Sequence, residues 1–222
     1  MSRWLAVERD QPVLVALNGK PSIAALPLHA RGMHSMIGIP LHRSAKTDMA
    51  ATEPSREDIF HPGGQLCPER LTEPTARVLQ EALRMARETR WDSVRSPHIF
   101  MGLLATPDPA VRAWGERLKA DLDNLLGQFQ ELFHQEEGDR EALLVLNREF
   151  LSDNVIRVLR EAWHRARDHR RRTVTPMDLL ITLLTSTDSI VAECFERIGV
   201  TAAKLTELAV IAEQQAGDGA ME

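Results

Sequence analysis

The sequence of 222 residues has only two cysteines and no apolar stretch that approaches the length of a membrane-spanning helix. Such a helix needs about 20 consecutive apolar residues. Cys67 and Cys194 lie far apart in unlike contexts, which is neither a disulfide framework nor a zinc-binding pattern. The amino terminus also lacks the apolar run of a secretory signal. We therefore expect a cytoplasmic protein in a reducing compartment, without membrane association.

The sequence also lacks the residue patterns of an enzyme. No serine stands in a nucleophile-elbow context, and no pair of carboxylates lies in an apolar setting. The net charge of −5 argues against a general nucleic-acid binder, which is usually basic. We therefore predict a non-catalytic protein that needs no cofactor and no metal.

The chain does contain a long internal repeat. Leu71–Leu125 aligns with Leu151–Leu205 at a constant offset of 80 residues, without a gap and with 17 identities in 55 positions. A tandem repeat of this length is a supersecondary unit that buries its apolar face against its copy. The repeat therefore predicts two halves that share one core.

Apolar residues at helical spacing divide each copy into four helices. We predict an all-α fold in which two four-helix repeats, copy one at 71–135 and copy two at 151–215, pack as a pseudo-twofold eight-helix domain. Residues 135–148 join the copies, and Gly138 is a predicted helix stop. Thr72 is a predicted helix cap and Ser152 stands at the equivalent start, while the third and fourth helices of copy one are predicted to begin at Asp108 and near Asp121.

The second helix of each copy is predicted to be central and buried, because its residues are apolar nearly all round. Ser96-Pro97 and Thr175-Pro176 precede these helices. Each pair is predicted to be a capping hydroxyl followed by a proline at the first helical position.

Residues 1–70 differ from the repeats and are predicted to be a largely irregular extension. Val13–Leu17 and Ile23–Leu28 flank Asn18-Gly19, which predicts a short hairpin. His29–Arg70 is rich in Pro, Gly, Ser and His and is predicted to be a linker or disordered. Alternatively, translation starts downstream, at Met33, Met36 or Met49.

The repeats resemble the amino-terminal domain of the Clp chaperone ATPases over about Leu71 to Gln215. The resemblance depends on Leu71–Ala82, Ser96–Leu104 and Phe195–Val200, and on the doubling itself. In that family the domain is a mobile docking platform for adaptor proteins and unfolded substrates. No Walker motif is present, since Gly19-Lys20 is followed by Pro21, so the resemblance implies a docking domain without the ATPase motor.

The resemblance also implies a difference in ligand recognition. Members that bind phosphoarginine carry a glycine-threonine-glutamate-histidine motif ahead of each central helix. The aligned positions here are 95–98 and 175–178, where Pro97 and Met177 replace the two glutamates. Phosphoarginine recognition is therefore not expected.

The candidate protein-binding residues are Trp91, Arg95, His98, Arg171 and Asp178. Trp91 follows the first helix in a polar loop, where a tryptophan is difficult to bury. His98 and Asp178 occupy equivalent places at the central helix starts. The alternative for both is that each satisfies a nearby group at its own helix start.

Several other features have a simpler interpretation. His164 and Asp168 share a helical face and could meet a metal, but a solvated surface pair is the preferred interpretation. The basic run from Arg165 to Arg172 could contact phosphates or an acidic partner, or it could be the solvated end of a helix. Cys194, Trp114 and Trp163 are predicted to be buried.

Two functions compete. The first is a docking module in Clp-dependent proteolysis or protein quality control, which binds adaptors, substrates or a Clp ATPase–protease through a groove between the copies that takes an apolar or amphipathic peptide. The alternative is an accessory subunit that stabilises a Clp protease core. A weaker alternative is nucleic-acid binding through Arg165–Arg172.

Overall fold

The computed structural model describes residues 4–7, 13–16, 58–136, 144–187 and 189–218, the first two segments as backbone only and the side chains up to residue 216. The predicted all-α repeat fold is confirmed, because four helices in each copy follow one another in the expected order. Copy one holds α1 (Glu73–Glu88), α2 (Ser96–Ala105), α3 (Pro109–Leu118) and α4 (Leu122–Leu132). Copy two holds α5 (Asp153–Asp168), α6 (Pro176–Thr185), α7 (Ile190–Glu196) and α8 (Ala202–Asp218). No helix in these described segments is long and apolar enough to cross a membrane.

A two-stranded antiparallel sheet lies near the amino terminus. It pairs β1 (Trp4–Val7) with β2 (Val13–Ala16). The strand Val13–Ala16 lies within the predicted segment Val13–Leu17, but its pairing with Trp4–Val7 was not predicted. The Asn18-Gly19 turn and the strand Ile23–Leu28 lie outside the described residues, as do Gly138 and the candidate starts up to Met49.

Side chains that accept backbone hydrogen bonds fix most helix starts, as predicted. The Thr72 hydroxyl accepts from the Thr75 N–H at 3.3 Å, and the Ser152 hydroxyl accepts from the Val155 N–H at the same distance. Asp108 and Asp121 cap α3 and α4 in the same way. These contacts satisfy N–H groups that have no partner inside the helix.

The start of α2 differs from the prediction. Thr175 caps α6 and Pro176 occupies its first position, as expected. In copy one, however, the residue at the cap position is Arg95, and Ser96 is already helical. Arg95 is the equivalent of Thr175 at the 80-residue offset, so the repeat frame, and not the local Ser-Pro pair, sets where α2 begins.

The two copies are joined by reciprocal backbone pairing. The Thr72 N–H donates to the Val174 carbonyl at 3.1 Å, and the Ser152 N–H donates to the Val94 carbonyl at 3.0 Å. In return, the N–H groups of Val174 and Val94 each donate at 2.8 Å to the carbonyl two residues before the partner cap. Each copy therefore completes the hydrogen bonding of the other at equivalent positions, which is the pseudo-twofold relation predicted from the repeat.

The core lies between the central helices α2 and α6, nearly all of whose residues are buried. Phe100 on α2 packs edge to face against Phe195 on α7, with ring centroids 5.9 Å apart. The Trp114 indole, on α3, donates to the Leu205 carbonyl of α8 at 3.2 Å. These contacts cross from one copy to the other, so a single core spans both. Trp114, Trp163 and Cys194 are all buried, as predicted.

The segment 58–70 belongs to this domain, and the prediction that it is a linker is wrong. Ile59, Phe60 and Leu66 belong to the hydrophobic core, and Cys67 is buried as well. The chain folds back on itself there, with the Cys67 N–H donating to the Ile59 carbonyl at 2.9 Å. The carboxylate of Asp58 also accepts two hydrogen bonds from Arg160 on α5, at 2.8 and 3.2 Å. The boundary predicted at Leu71 therefore cuts through an ordered element that begins by residue 58.

Close packing of α1 against α2 requires a glycine, and this can be tested. A Cβ on Gly102 would lie 2.4 Å from the Val78 carbonyl oxygen, which is backbone and cannot move aside. We expect Gly102→Ala to lower the free energy of unfolding by about 2 kcal/mol or more, measured by urea denaturation. Gly127→Ala on α4 is the matched control, since nothing lies within 4 Å of its Cβ position.

The control variant Gly127→Ala is expected to change the free energy of unfolding in the opposite direction. In an open helical position, alanine should raise stability by about 0.5–1 kcal/mol relative to glycine. A Gly102→Ala variant as stable as Gly127→Ala would contradict the close approach of the two helices.

Candidate functional site

The five candidate residues fall into two clusters at equivalent places in the two copies. The copy-one cluster consists of Trp91, Arg95 and His98 at the start of α2. The copy-two cluster contains Arg171 and Asp178 at the start of α6. Trp91 is the repeat equivalent of Arg171, and His98 is the equivalent of Asp178. The structure brings these residues together within each copy, which the sequence had not predicted beyond the equivalence of His98 and Asp178.

In the copy-one cluster, two rings in edge-to-face contact and a cation cover the helix start. The guanidinium carbon of Arg95 lies 4.3 Å from the centroid of the Trp91 ring, and Arg95 is exposed. The Trp91 ring meets His98 edge to face at 5.8 Å, and its indole N–H donates to the Phe133 carbonyl at 2.6 Å. Trp91 is thus half-buried and fixed at both ends, and it presents Arg95 to solvent on its outer face.

His98 is buried and both of its ring nitrogens have partners. Nδ1 accepts from the Arg95 backbone N–H at 2.9 Å, which requires that Nδ1 carry no proton. The neutral ring then carries its proton on Nε2, 3.2 Å from the Thr89 hydroxyl, which itself donates to the Met85 carbonyl. Burial, with a smaller contribution from the charge on Arg95, lowers the pKa of His98 to about 3. The geometry therefore supports the alternative in which His98 satisfies its own helix start.

The copy-two cluster is a closed network of ion pairs. Asp178 is fully buried and accepts from the Thr175 backbone N–H at 2.8 Å, the same bond that His98 makes in copy one. Arg171 binds the Asp178 carboxylate with both terminal nitrogens, at 2.5 and 2.8 Å. Arg165 bridges Asp178 to Glu213 on α8. Two arginines and two carboxylates thus neutralise one another.

The pKa of Asp178 reflects this balance. Burial alone raises the pKa of the carboxyl group, but the hydrogen bonds from Arg171 and from the Thr175 backbone lower it more. The net shift of the pKa is downward, so Asp178 is ionised in the folded protein. Asp178 also satisfies its own helix start, and its carboxylate has no position left for an external guanidinium group.

The two clusters use the same four repeat positions with opposite chemistry. Copy one has neutral side chains where copy two has charged ones, as the following pairs show: Met85 and Arg165, Trp91 and Arg171, His98 and Asp178, Phe133 and Glu213. All four positions change together, because a buried charge is tolerated only when its partners are charged as well. Sequence analysis missed Arg165, Glu213 and Phe133 as members of the site, although comparison of the copies at the 80-residue offset contains this signal.

The positions aligned with the phosphoarginine-binding glutamates point inward. Pro97 and Met177 are both buried at the second helical positions of their copies. Neither cluster offers an exposed carboxylate that could accept a guanidinium group. Pro97 and Met177 therefore supply no carboxylate at the two positions where the resemblance places the phosphoarginine-binding glutamates.

The basic run at the end of α5 is divided in two. Arg165 and Arg171 belong to the ion-pair network, while His169, Arg170 and Arg172 are exposed. His164 and Asp168 are exposed on α5, as expected of a solvated surface pair. Two of the five arginines that were considered for phosphate contact are therefore neutralised inside the protein.

A cleft of about 700 Å³ lies elsewhere, at the ends of α6, α7 and α8 in copy two. Hydroxyl and carboxylate side chains line much of it, including Thr185, Ser186, Thr206, Glu193 and Glu196. This lining is polar and belongs to one copy, so the cleft is not the apolar groove between copies that the sequence suggested.

Comparison with solved structures identifies the fold as that of the N-terminal domains of Clp and Hsp104 ATPases. The N-terminal domain of the caseinolytic protease associated chaperone ClpD from Arabidopsis thaliana matches with a TM-score of 0.52 at 21% identity, covering 68% of this chain and 99% of that one. The Hsp104 N-terminal domain from Candida albicans matches with a TM-score of 0.53 at 13% identity, covering 64% and 90%. No protein-family model and no curated protein matches the chain. The predicted resemblance is therefore confirmed at the level of the fold.

The depressed pKa of His98 predicts that part of the stability depends on pH. The unfolded state takes up a proton at His98 near pH 6.5 and the folded state only near pH 3, so the stability from His98 is complete above pH 6.5 and is lost as the pH falls. We expect the wild type to lose about 2 kcal/mol of unfolding free energy from this group between pH 7 and pH 5. Urea denaturation at both pH values measures the loss.

Two variants isolate this contribution. In His98→Asn the amide oxygen can still accept from the Arg95 N–H but does not titrate, so its stability deficit relative to the wild type should shrink at pH 5. His164→Asn, at an exposed position, should follow the wild type at both pH values. A constant deficit for His98→Asn would contradict a neutral buried His98.

The ion-pair network of copy two predicts that mutation of Asp178 lowers the free energy of unfolding more than mutation of an exposed residue does. Asp178→Ala leaves Arg165 and Arg171 without their shared carboxylate and the Thr175 N–H without an acceptor. We expect a loss of about 3 kcal/mol in unfolding free energy, measured by denaturation at pH 7. Asp168→Ala, at an exposed residue of α5, should change stability by less than about 0.5 kcal/mol. Equal effects of the two variants would show that the network does not contribute to stability.

Proposed function

We propose that this chain is a non-catalytic protein-binding module that docks a partner protein in Clp-dependent proteolysis or protein quality control. The observation that supports it is the fold, which matches the ClpD N-terminal domain over 99% of that domain. That protein is a caseinolytic protease associated chaperone. The matched parts are N-terminal domains and not ATPase modules, which supports a role without catalysis.

The surface favours polar contacts with the partner. Within the part of the chain described with side chains, Val145 is the large hydrophobic residue that stands exposed, at 50%. The described surface therefore offers few fully exposed apolar side chains to a partner. The exposed Arg95, held over Trp91, is a cation on an aromatic support, which is a combination enriched at binding surfaces. We propose the Trp91–Arg95 face as the contact for an acidic segment of the partner.

A pull-down from native lysate tests this function. The full chain is immobilised, and the captured proteins are identified by mass spectrometry with and without competing salt. We expect enrichment of a Clp ATPase, peptidase or adaptor, and a clear reduction of that capture by Arg95→Glu. Arg112→Glu is the matched control, since Arg112 is an exposed arginine on α3. Recovery of no Clp component by the wild type would refute the proposal.

The alternative function is an accessory subunit of a Clp protease core, and the same material separates the two. Stoichiometric co-elution with the peptidase ring in gel filtration supports the accessory role. Salt-sensitive capture that Arg95→Glu abolishes supports the docking role. Nucleic-acid binding is less well supported, since Arg165 and Arg171 are engaged with Asp178 and Glu213.

A further inference from the structure

Three potential metal ligands of different chemistry meet outside the two clusters. His61, Cys67 and Glu69 each offer one ligand atom, and these atoms all lie within 4.8 Å of one another. His61 and Glu69 are exposed, while Cys67 is only 2% exposed. An imidazole nitrogen, a thiol sulfur and a carboxylate oxygen converge here at the edge of the domain.

The backbone explains this convergence. The segment folds as a tight hairpin, with His61 donating to Gln65 at 2.8 Å and Cys67 donating to Ile59 at 2.9 Å. Alternate residues of paired strands face the same side, so His61 and Cys67 are diagonal neighbours on one face. Gly64 makes the turn at a φ of 84°, which favours glycine.

Glu69 is brought to the same place by the next element. It lies in the 3-10 turn Pro68–Arg70, directly after Cys67. The hairpin is held against the core by Phe60 and Leu66, so the backbones that carry all three ligands are fixed. The exposed side chains of His61 and Glu69 can still rotate.

We propose that His61, Cys67 and Glu69 form a binding site for a zinc ion, with the fourth position open to water. Zinc binds nitrogen, sulfur and carboxylate oxygen at about 2.0–2.3 Å, which places tetrahedral ligands roughly 3.5 Å apart. Separations of up to 4.8 Å need only small side-chain rotations to close. Magnesium and calcium prefer sites made entirely of oxygen, so the sulfur and nitrogen donors select a borderline metal such as zinc.

The surrounding charges suit a divalent cation. Burial is the largest cause that raises the pKa of the Cys67 thiol; the charge on Arg70 lowers it, and the carboxylates of Glu69 and Asp58 raise it further. Zinc binding releases the thiol proton and places two positive charges beside this thiolate and Glu69. The sequence analysis predicted no metal site, because His61 and Cys67 become neighbours only through the hairpin.

Metal titration of the full chain tests the site. The reduced, chelator-treated protein is titrated with Co²⁺, which gives a thiolate-to-cobalt absorption band, and the cobalt is then displaced by Zn²⁺ to obtain the zinc Kd. We expect the band to saturate at one equivalent, to disappear in Cys67→Ser and to remain in Cys194→Ser. Cys194 is the matched control because it is the second thiol of the chain and is also buried.

Variants at the two exposed ligands, His61 and Glu69, test the site without changing a buried side chain. His61→Ala and Glu69→Gln retain the thiol, and each should weaken zinc binding by roughly tenfold or more. His164→Ala should bind as the wild type does. The proposal is overturned if one equivalent of Co²⁺ gives no thiolate band, if the band survives Cys67→Ser, or if His61→Ala and Glu69→Gln bind zinc like the wild type. None of these results depends on the proposed docking function.

Discussion

Backbone N–H groups at the start of a buried helix must find acceptors within the protein, because water does not reach them. The two central helices of this domain are buried along nearly their whole length. Each solves the problem with the residue three places after the cap, whose side chain accepts from the cap N–H, at His98 in one copy and at Asp178 in the other. The choice between a neutral ring and a carboxylate at this one position determines the chemistry of the side chains around it.

The neutral side chain in copy one and the charged side chain in copy two lead to different surroundings in the two copies. A carboxylate in the interior requires compensating cations, and these in turn require a second carboxylate, so copy two becomes a closed electrostatic unit. The imidazole in copy one requires only a hydroxyl, which leaves the overlying Trp91 and Arg95 outside any ion pair with a described residue. A duplicated scaffold thus has one half committed to internal contacts and one half with a cation available at its surface.

Sequence reasoning succeeded where the information was local or periodic. The 80-residue offset predicted two equivalent halves. Apolar spacing then predicted eight helices, their buried faces and most of their starts, because burial repeats every turn of a helix. It failed at residues 58–70, where four buried residues stand among prolines and glycines that suggested a linker. It also missed the bond between Arg165 and Glu213, 48 residues apart, because no local spacing encodes such a pair. The start of α2 was misplaced because Ser96-Pro97 imitates a cap, whereas contacts with the other copy place the cap at Arg95.

The exchange of backbone hydrogen bonds between the copies has a consequence for synthesis on the ribosome. The Thr72 side chain and backbone both bond to the Val174 carbonyl, 102 residues later in the chain. The whole of copy one is therefore synthesised before Val174, the residue whose carbonyl accepts from Thr72. Domains usually fold as units during translation, from the amino-terminal end onward. Here Thr72 finds its acceptor only after residue 174 has left the exit tunnel, so the hydrogen bonds that join the two copies form late in synthesis.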